Sequence, residues 1–398
     1  MPDRLPDAAV DLWTSSRGER LLEAAHATRG MPALRRPGAL AAHGTPDEVR
    51  WALQQDGWRE RAAAKVPHAG RLLFTREALE QASAWPVALE RAARLSLPAG
   101  ARLADLCAGI GLDALAAATH GLQVVAVERD PLRARLLAWN AAALGLSGRV
   151  EVRCADVLEA APSADAAFLD PDRRAQGTRT RDASRFAPPL EAWEGLLARY
   201  PRALVKVAPG GPSPAPTRAS EVVSLDGEAR ERRLLWRGFE GAPAHAAVAL
   251  PGGQRVAGAG APWPAPRAPR PGDWVLDCDP ALTLAGVVGE ACAAHGLVPV
   301  HARIACLLGA APAPALPGTW LEVLEVLAPS RPVLQRWVDA HGIGVLEVRC
   351  RGVADDAHDW RRRLRLAGPQ AGTLLFTRDP ADRWLALAVR RAARETPA

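Results

Sequence analysis

The sequence predicts an α/β protein built on a doubly wound parallel sheet, with a helical region before it and a smaller α+β module after it. Three observations point there. Between residues 101 and 210, short apolar runs alternate with amphipathic stretches of roughly helical length, the pattern of βαβ units. The first of these runs ends in a glycine-bearing turn, Asp105-Leu-Cys-Ala-Gly109-Ile-Gly111, that opens a helix. Beyond residue 209 the alternation stops, and it resumes in a different form after a stretch rich in Pro, Gly and Ala. The 398 residues also exceed what one compact core usually organises.

Each element follows in order. Residues 1–95 read as helices. "SSRGERLLEAAHAT" has a serine start and helical spacing. "PDEVRWALQQDGW" follows Thr45 with Pro46 in its first turn. "TREALEQASAWPVALERAARL" reads as a helix broken near Pro86. Then come the strands "ARLADLCAG", "LQVVAVERD", "RVEVRCAD", "ADAAFLDPD" and "RALVKVAPG", with helices "LDALAAATHG", "PLRARLLAWNAAALG" and "PPLEAWEGLLARYP" among them. Right-handed crossovers make this a Rossmann-like layer whose ligand sits at the strand carboxyl ends. "EVVSLDGEARERRLLW" reads as a hairpin turning at Asp226-Gly227. The expected domains are a helical region at 1–95, a catalytic domain at 96–255, a linker at 256–272 and an α+β module at 273–398.

Composition narrows the class. No apolar run has the length of a membrane span, and the N-terminus shows no signal-peptide pattern. Six scattered cysteines without a C-x-x-C pair suit a reducing, cytoplasmic setting and give no zinc signature. The net charge is +6, mild for this length. Residues 331–398 hold 13 Arg against 8 Asp and Glu, so most of the excess lies at that end. Only two basic residues are lysines, Lys65 and Lys206.

The glycine turn carries the most specific signal. Two cofactor classes fit it: "GIGLDA" satisfies the dinucleotide form, and D-x-x-x-G-x-G suits S-adenosylmethionine. Asp105 decides between them. A carboxylate there attracts the cationic amino group of S-adenosylmethionine and repels a pyrophosphate. The second strand ends in Glu128-Arg129, an acid placed to accept from ribose hydroxyls, and the third is followed by Asp156, within reach of an adenine amino group. Cys107 lies inside the turn.

Residues 101–210 therefore resemble class I S-adenosylmethionine-dependent methyltransferases. The combination "EQAS", "DLCAGIGLDALAAA", "VVAVERDPLRARLLAWNAAALG" and "FLDPDRR" resembles the bacterial group related to trimethylguanosine synthase. "VLEVRCRG…WRRRLRLAG…GTLLFTR" resembles the THUMP-like domain that follows the methyltransferase in such chains. The resemblance implies that Asp105, Gly109 and Gly111 form the cofactor loop, Glu128 holds the ribose, Asp156 reaches the adenine, and Asp170 and Pro171 sit beside the methyl group. It also implies an RNA substrate, tRNA or rRNA, because THUMP domains help to dock tRNA. A protein or small-molecule acceptor, and a non-catalytic RNA-binding protein on the same fold, are the alternatives.

"FLDPDRR", residues 168–174, ends the fourth strand. Amino methyltransferases often carry [DN]-P-P-[YFW] there; here Asp172 and Arg173 take the last two places, so the stacking aromatic is missing. Asp170 is the expected proton acceptor, with Asp172 second. Arg173 and Arg174 either clamp a phosphate or brace the loop. Phe186 is a candidate stacking face, and Lys206, at the fifth strand's end, a candidate substrate contact. "EQAS", residues 80–83, is expected at the cofactor's amino-acid end. In "WRRRLRL", residues 360–366, Trp360 and Leu364 should pack inward, with Arg361, Arg362 and Arg365 sharing an outer face.

Overall fold

The computed structural model describes residues 6–172, 183–211, 219–354 and 357–392. Contacts divide the chain into two compact units. One comprises residues 1–217 and 233–240; the other comprises 218–232 and 241–398.

The first unit opens with six helices: α1 (Asp7–Trp13), α2 (Ser16–Ala27), α3 (Arg36–Ala39), α4 (Pro46–Ala62), α5 (Arg76–Gln81) and α6 (Trp85–Arg94). Their starts are written locally. Ser15 caps α2, and Thr45 with Glu48 forms a reciprocal capping box on α4. Asp56, buried on α4, accepts from Arg29 and Arg36, each at 2.7 Å, which ties α2, α3 and α4 together. The expected break near Pro86 is present: α5 ends at Gln81, and Pro86 occupies the first turn of α6.

The doubly wound layer follows as β1 (Arg102–Leu106), α7 (Leu112–Thr119), β2 (Gln123–Glu128), α8 (Pro131–Ala143), β3 (Val150–Cys154), β4 (Ala166–Leu169), α9 (Leu190–Leu197) and β5 (Arg202–Val207). The strands are parallel in the order β3-β2-β1-β4-β5. Burial on both faces explains continuous apolar runs such as "AAFL". Trp193 of α9, fully buried, centres the core on one face with Leu106, Leu169 and Val205.

The second unit holds β6 (Ala219–Leu225), the first half of β7 (Glu228–Arg237), β8 (His245–Leu250) and β9 (Gln254–Gly258). Asp226 and Gly227 both have positive φ, 54° and 77°, so the expected β6–β7 hairpin turn is there. Next come β10 (Trp274–Cys278), α10 (Pro280–Ala285), α11 (Val288–His295), β11 (Val298–His301), β12 (Ile304–Gly309), β13 (Gly318–Leu327), α12 (Arg331–Ala340), β14 (Ile343–Cys350), α13 (Ala357–Arg363), β15 (Gln370–Arg378) and β16 (Trp384–Arg391). Seven of these strands form a sheet in the order β11-β12-β10-β13-β16-β15-β14. It is mostly antiparallel, and β14 and β15 pair in parallel across α13.

The contact division interleaves segments of the chain after residue 217. The strand β9 runs to Gly258, and β6, β8 and β9 belong with the C-terminal residues. The reason is burial: Val222 of β6 and Ala247 of β8 share a core with Ala281, Leu282 and Ala285 of α10. One expectation changes: α13 ends at Arg363, so Arg365 lies past the helix and shares no helical face with Arg361 and Arg362. Gln335 takes over there, bonding the backbone N–H and C=O of Arg365. All three arginines are exposed, while Trp360 and Leu364 pack inward as expected, Trp360 stacked 4.9 Å from Phe376.

Candidate active site

The site is built where β1 and β4 end beside β5. In register, Leu106 faces Leu169 and Leu169 faces Val205. The next residues of β4 and β5, Asp170 and Lys206, therefore emerge side by side. The Asp170 N–H donates to the Leu106 carbonyl at 3.3 Å, which holds the Asp-Pro turn against β1.

The loop after β1 takes three left-handed conformations, at Cys107 (φ 68°), Gly109 (φ 60°) and Gly111 (φ 88°). The two glycines have different reasons. A Cβ on Gly111 would stand 2.5 Å from Cγ of Leu137, so only glycine lets this turn close on α8. A Cβ on Gly109 would meet nothing within 4 Å, so the backbone there borders open space. Buried Glu128 fixes the loop by accepting from the Gly109 N–H at 2.7 Å and the Asp130 N–H at 2.8 Å. Asn140, fully buried on α8, adds a second brace. Its amide donates to the carbonyls of Ile110 and Leu73 and accepts from the Leu73 N–H. Asp156 turns the chain after β3, accepting from the Leu158 N–H at 2.8 Å.

Asp105 is the least satisfied group of the site. It is 1% exposed, and neither carboxylate oxygen has a hydrogen-bond partner. Burial, and then the nearby Asp113 carboxylate, push its pKa well above the ordinary range. A buried carboxylate without a donor is costly, and a cationic amino group is the ligand that would relieve it. Asp105, the open backbone at Gly109 and the Glu128 carboxylate thus fit the amino-acid end and ribose of S-adenosylmethionine. Asp113 itself is bonded by Arg91 and by Ser83, the latter at 3.2 Å.

Asp170 is paired. The Lys206 ammonium lies 2.5 Å from its Oδ2 and 3.1 Å from the Ser83 hydroxyl, with the lysine side chain 11% exposed. Asp172 exchanges backbone hydrogen bonds with Ala187, both 2.9 Å, and its carboxylate lies 3.9 Å from exposed Arg129. Arg129, expected at the cofactor, is thus placed beside the Asp-Pro turn. Phe186 corrects a sequence expectation. It is 4% exposed and stacks on Trp193 at 6.3 Å, so its ring fills the core and offers no face to a base. Arg173 and Arg174 lie outside the described residues. Cys107 is partly buried, near Glu128 and Asp170; desolvation of its thiol first, then those carboxylates, raise its pKa, which leaves it a poor nucleophile.

Arg91, Asp113 and Asn140 escaped the sequence reading. One signal for Arg91 was present. It sits on the apolar stripe of α6 with Trp85, Ala88 and Ala92, where a charge demands a buried partner. Phe168 adds a ring 4.4 Å from its guanidinium.

Comparison with known proteins agrees with this geometry. Residues 318–390 match the THUMP domain-like family. Over 347 residues the chain is 35% identical to an S-adenosylmethionine-dependent methyltransferase of Mycobacterium tuberculosis, found in strains CDC 1551 / Oshkosh and H37Rv; the match covers 83% of this chain and 93% of that protein. A crystal structure from Porphyromonas gingivalis W83, described as a methyltransferase, shares the fold with a TM-score of 0.73 at 18% identity, covering 94% of this chain and 99% of that one. With a cofactor loop of this shape and a relative of this extent, the chain belongs to the S-adenosylmethionine-dependent methyltransferases, and S-adenosylmethionine is its cofactor.

Proposed function

We propose that the enzyme methylates RNA, a tRNA or an rRNA. The observation that carries this reading is the THUMP domain-like match at residues 318–390. Exposed Arg361, Arg362 and Arg365 offer phosphate contacts there. Six free cysteines and the lack, among the described residues, of any helix long and apolar enough to cross a membrane suit a protein meeting RNA in the cytoplasm.

When bound, S-adenosylmethionine supplies a methyl group already activated on a sulfonium, so the protein's work is alignment and exclusion of water. Asp105 takes the amino group, Gly109 and Gly111 give the backbone approach, Glu128 takes the ribose and Asp156 the adenine. Asp170 and Pro171, at the end of β4, face the acceptor atom, and Asp170 receives its proton. Asp172 holds the turn in place through Ala187.

The test is incubation with labelled S-adenosylmethionine and total RNA, with and without nuclease, followed by digestion to nucleosides. Label should enter RNA and vanish with nuclease treatment. The variant Asp170→Ala should bind the cofactor and lose methyl transfer. Transfer at the wild-type rate by that variant would remove Asp170 from the mechanism.

A further inference from the structure

Lys206 is one of two lysines in a chain whose other basic side chains are arginines. It is held at the site by groups from two parts of the chain. Its ammonium donates to Asp170 Oδ2 at 2.5 Å and to the Ser83 hydroxyl at 3.1 Å. Ser83 also receives a hydrogen bond from Arg91 at 3.1 Å and faces Asp113 Oδ2 at 3.2 Å. A serine hydroxyl has one proton. With that proton on the Asp113 carboxylate, its lone pairs face two donors, Arg91 and Lys206. The arrangement thus defines Lys206 as the donor and the cation. Ser83 comes from the turn between α5 and α6, so the N-terminal helices contribute directly to the geometry of the β4 and β5 tips.

This pair bears on the chemistry of the acceptor. A neutral exocyclic amine becomes positively charged as it attacks a methyl group, until it gives up its proton. An ammonium beside the proton acceptor raises the energy of that state. An acceptor that sheds its proton as it attacks is anionic instead, and the same ammonium stabilises it. The geometry points to Lys206 as a further catalytic residue: paired with Asp170 and positioned by Ser83, it selects an acceptor that reacts as an anion, a hydroxyl oxygen or an acidic ring N–H, over a neutral exocyclic amine. The step balances. The acceptor's O–H or N–H bond breaks and its proton passes to the Asp170 carboxylate. The acceptor's electron pair forms the new bond to the methyl carbon, and the C–S pair returns to sulfur. This rests on Asp170 facing the transferred methyl group and holds whether the acceptor is RNA or another molecule.

Two measurements test it. The first needs neither cofactor nor acceptor. With only two lysines, protein carrying ¹³C at lysine Cε gives two signals, and Lys206→Met assigns them. The Lys206 signal should move between wild type and Asp170→Asn at one pH, because the variant removes the paired carboxylate. Asp105, Asp113, Arg91 and the Cys107 thiol also surround the pair and are unchanged in that variant. A Lys206 signal indifferent to Asp170→Asn overturns the pairing. The second measurement follows methyl transfer. Lys206→Met should lower kcat by about 100-fold or more, the usual range for a proton-transfer partner, with cofactor binding retained. Ser83→Ala should lower kcat by less, with cofactor binding retained, and Lys206→Arg should restore part of the rate if Lys206→Met folds poorly. A wild-type kcat in Lys206→Met overturns the catalytic role. The identity of the labelled atom decides the selectivity. Label on a ribose oxygen or on a ring nitrogen that carries a proton in the unmodified base supports it. Label on an exocyclic amine or on a ring nitrogen without a proton overturns it while leaving the RNA reading intact. Label in protein or a small molecule removes the RNA reading, and the methylated atom again decides this one.

Discussion

Gly109 and Gly111 both have left-handed backbones, yet alanine should affect them differently. At either position a side chain in that conformation costs about 1–2 kcal/mol. At Gly111 the new Cβ also stands 2.5 Å from Cγ of Leu137, a buried branch point that must change χ1 or shift with α8 to make room. Overpacking of this kind typically adds about 1–3 kcal/mol, so Gly111→Ala should lose roughly 2–5 kcal/mol. At about 2–4 °C per kcal/mol for a unit of this size, its first thermal transition should fall by roughly 4–20 °C. Gly109→Ala meets nothing within 4 Å and should lose only the backbone share. Its methyl group instead enters the open space that the cofactor needs, so its affinity for S-adenosylmethionine should fall at least tenfold, about 1.4 kcal/mol. Calorimetric unfolding of both variants, with cofactor titration into each below its transition, separates the two effects. Wild-type affinity in Gly109→Ala would refute the assignment of that space to the cofactor. A wild-type transition in Gly111→Ala would refute the packing argument.

Further outcomes follow from the same geometry. Asp105 has a raised pKa in the fold, so the folded state holds its proton more tightly than the unfolded chain does. Stability of the cofactor-free protein should therefore fall as pH rises above the ordinary carboxylate range, and Asp105→Asn should flatten that decline while weakening cofactor binding; urea titrations across pH show the first and calorimetry the second. Charge reversal at Arg361, Arg362 and Arg365 should weaken RNA binding and reduce its dependence on salt by about 0.7–0.9 logarithmic units per lost phosphate contact; an unchanged slope in filter binding removes these arginines from the interface. Asp56→Ala should destabilise the N-terminal helices by about 3–5 kcal/mol, since it strands Arg29 and Arg36 around a buried position; a transition within 1 °C of wild type would contradict that role.

The parts of the site legible in the sequence are those fixed by backbone chemistry. A positive φ demands glycine, a strand tip presents its last residue, and a helix start needs a cap. Gly109, Gly111, Glu128 and Asp170 could be placed from such rules because each depends only on neighbours in the chain. The parts that were not legible depend on contacts across long stretches of sequence. Asn140 braces Ile110 and Leu73 from 30 and 67 residues away, and Ser83 meets Lys206 from 123. Phe186 shows the same limit in reverse. Its composition suited a stacking platform, but Trp193 claimed its face for the core. The groups that complete the site come from the helices before the sheet. Ser83, Arg91 and the Leu73 backbone all precede β1: Ser83 accepts from the β5 lysine, Arg91 bonds Ser83 and Asp113, and Leu73 reaches the cofactor loop through Asn140. A truncated chain beginning at residue 96 would keep the motifs of the sheet and lose "EQAS". It would lose the hydroxyl that orients Lys206 and the guanidinium that neutralises Asp113 beside buried Asp105. The N-terminal helices are thus part of the active site's electrostatics, and the motifs alone understate how much of the chain the chemistry requires.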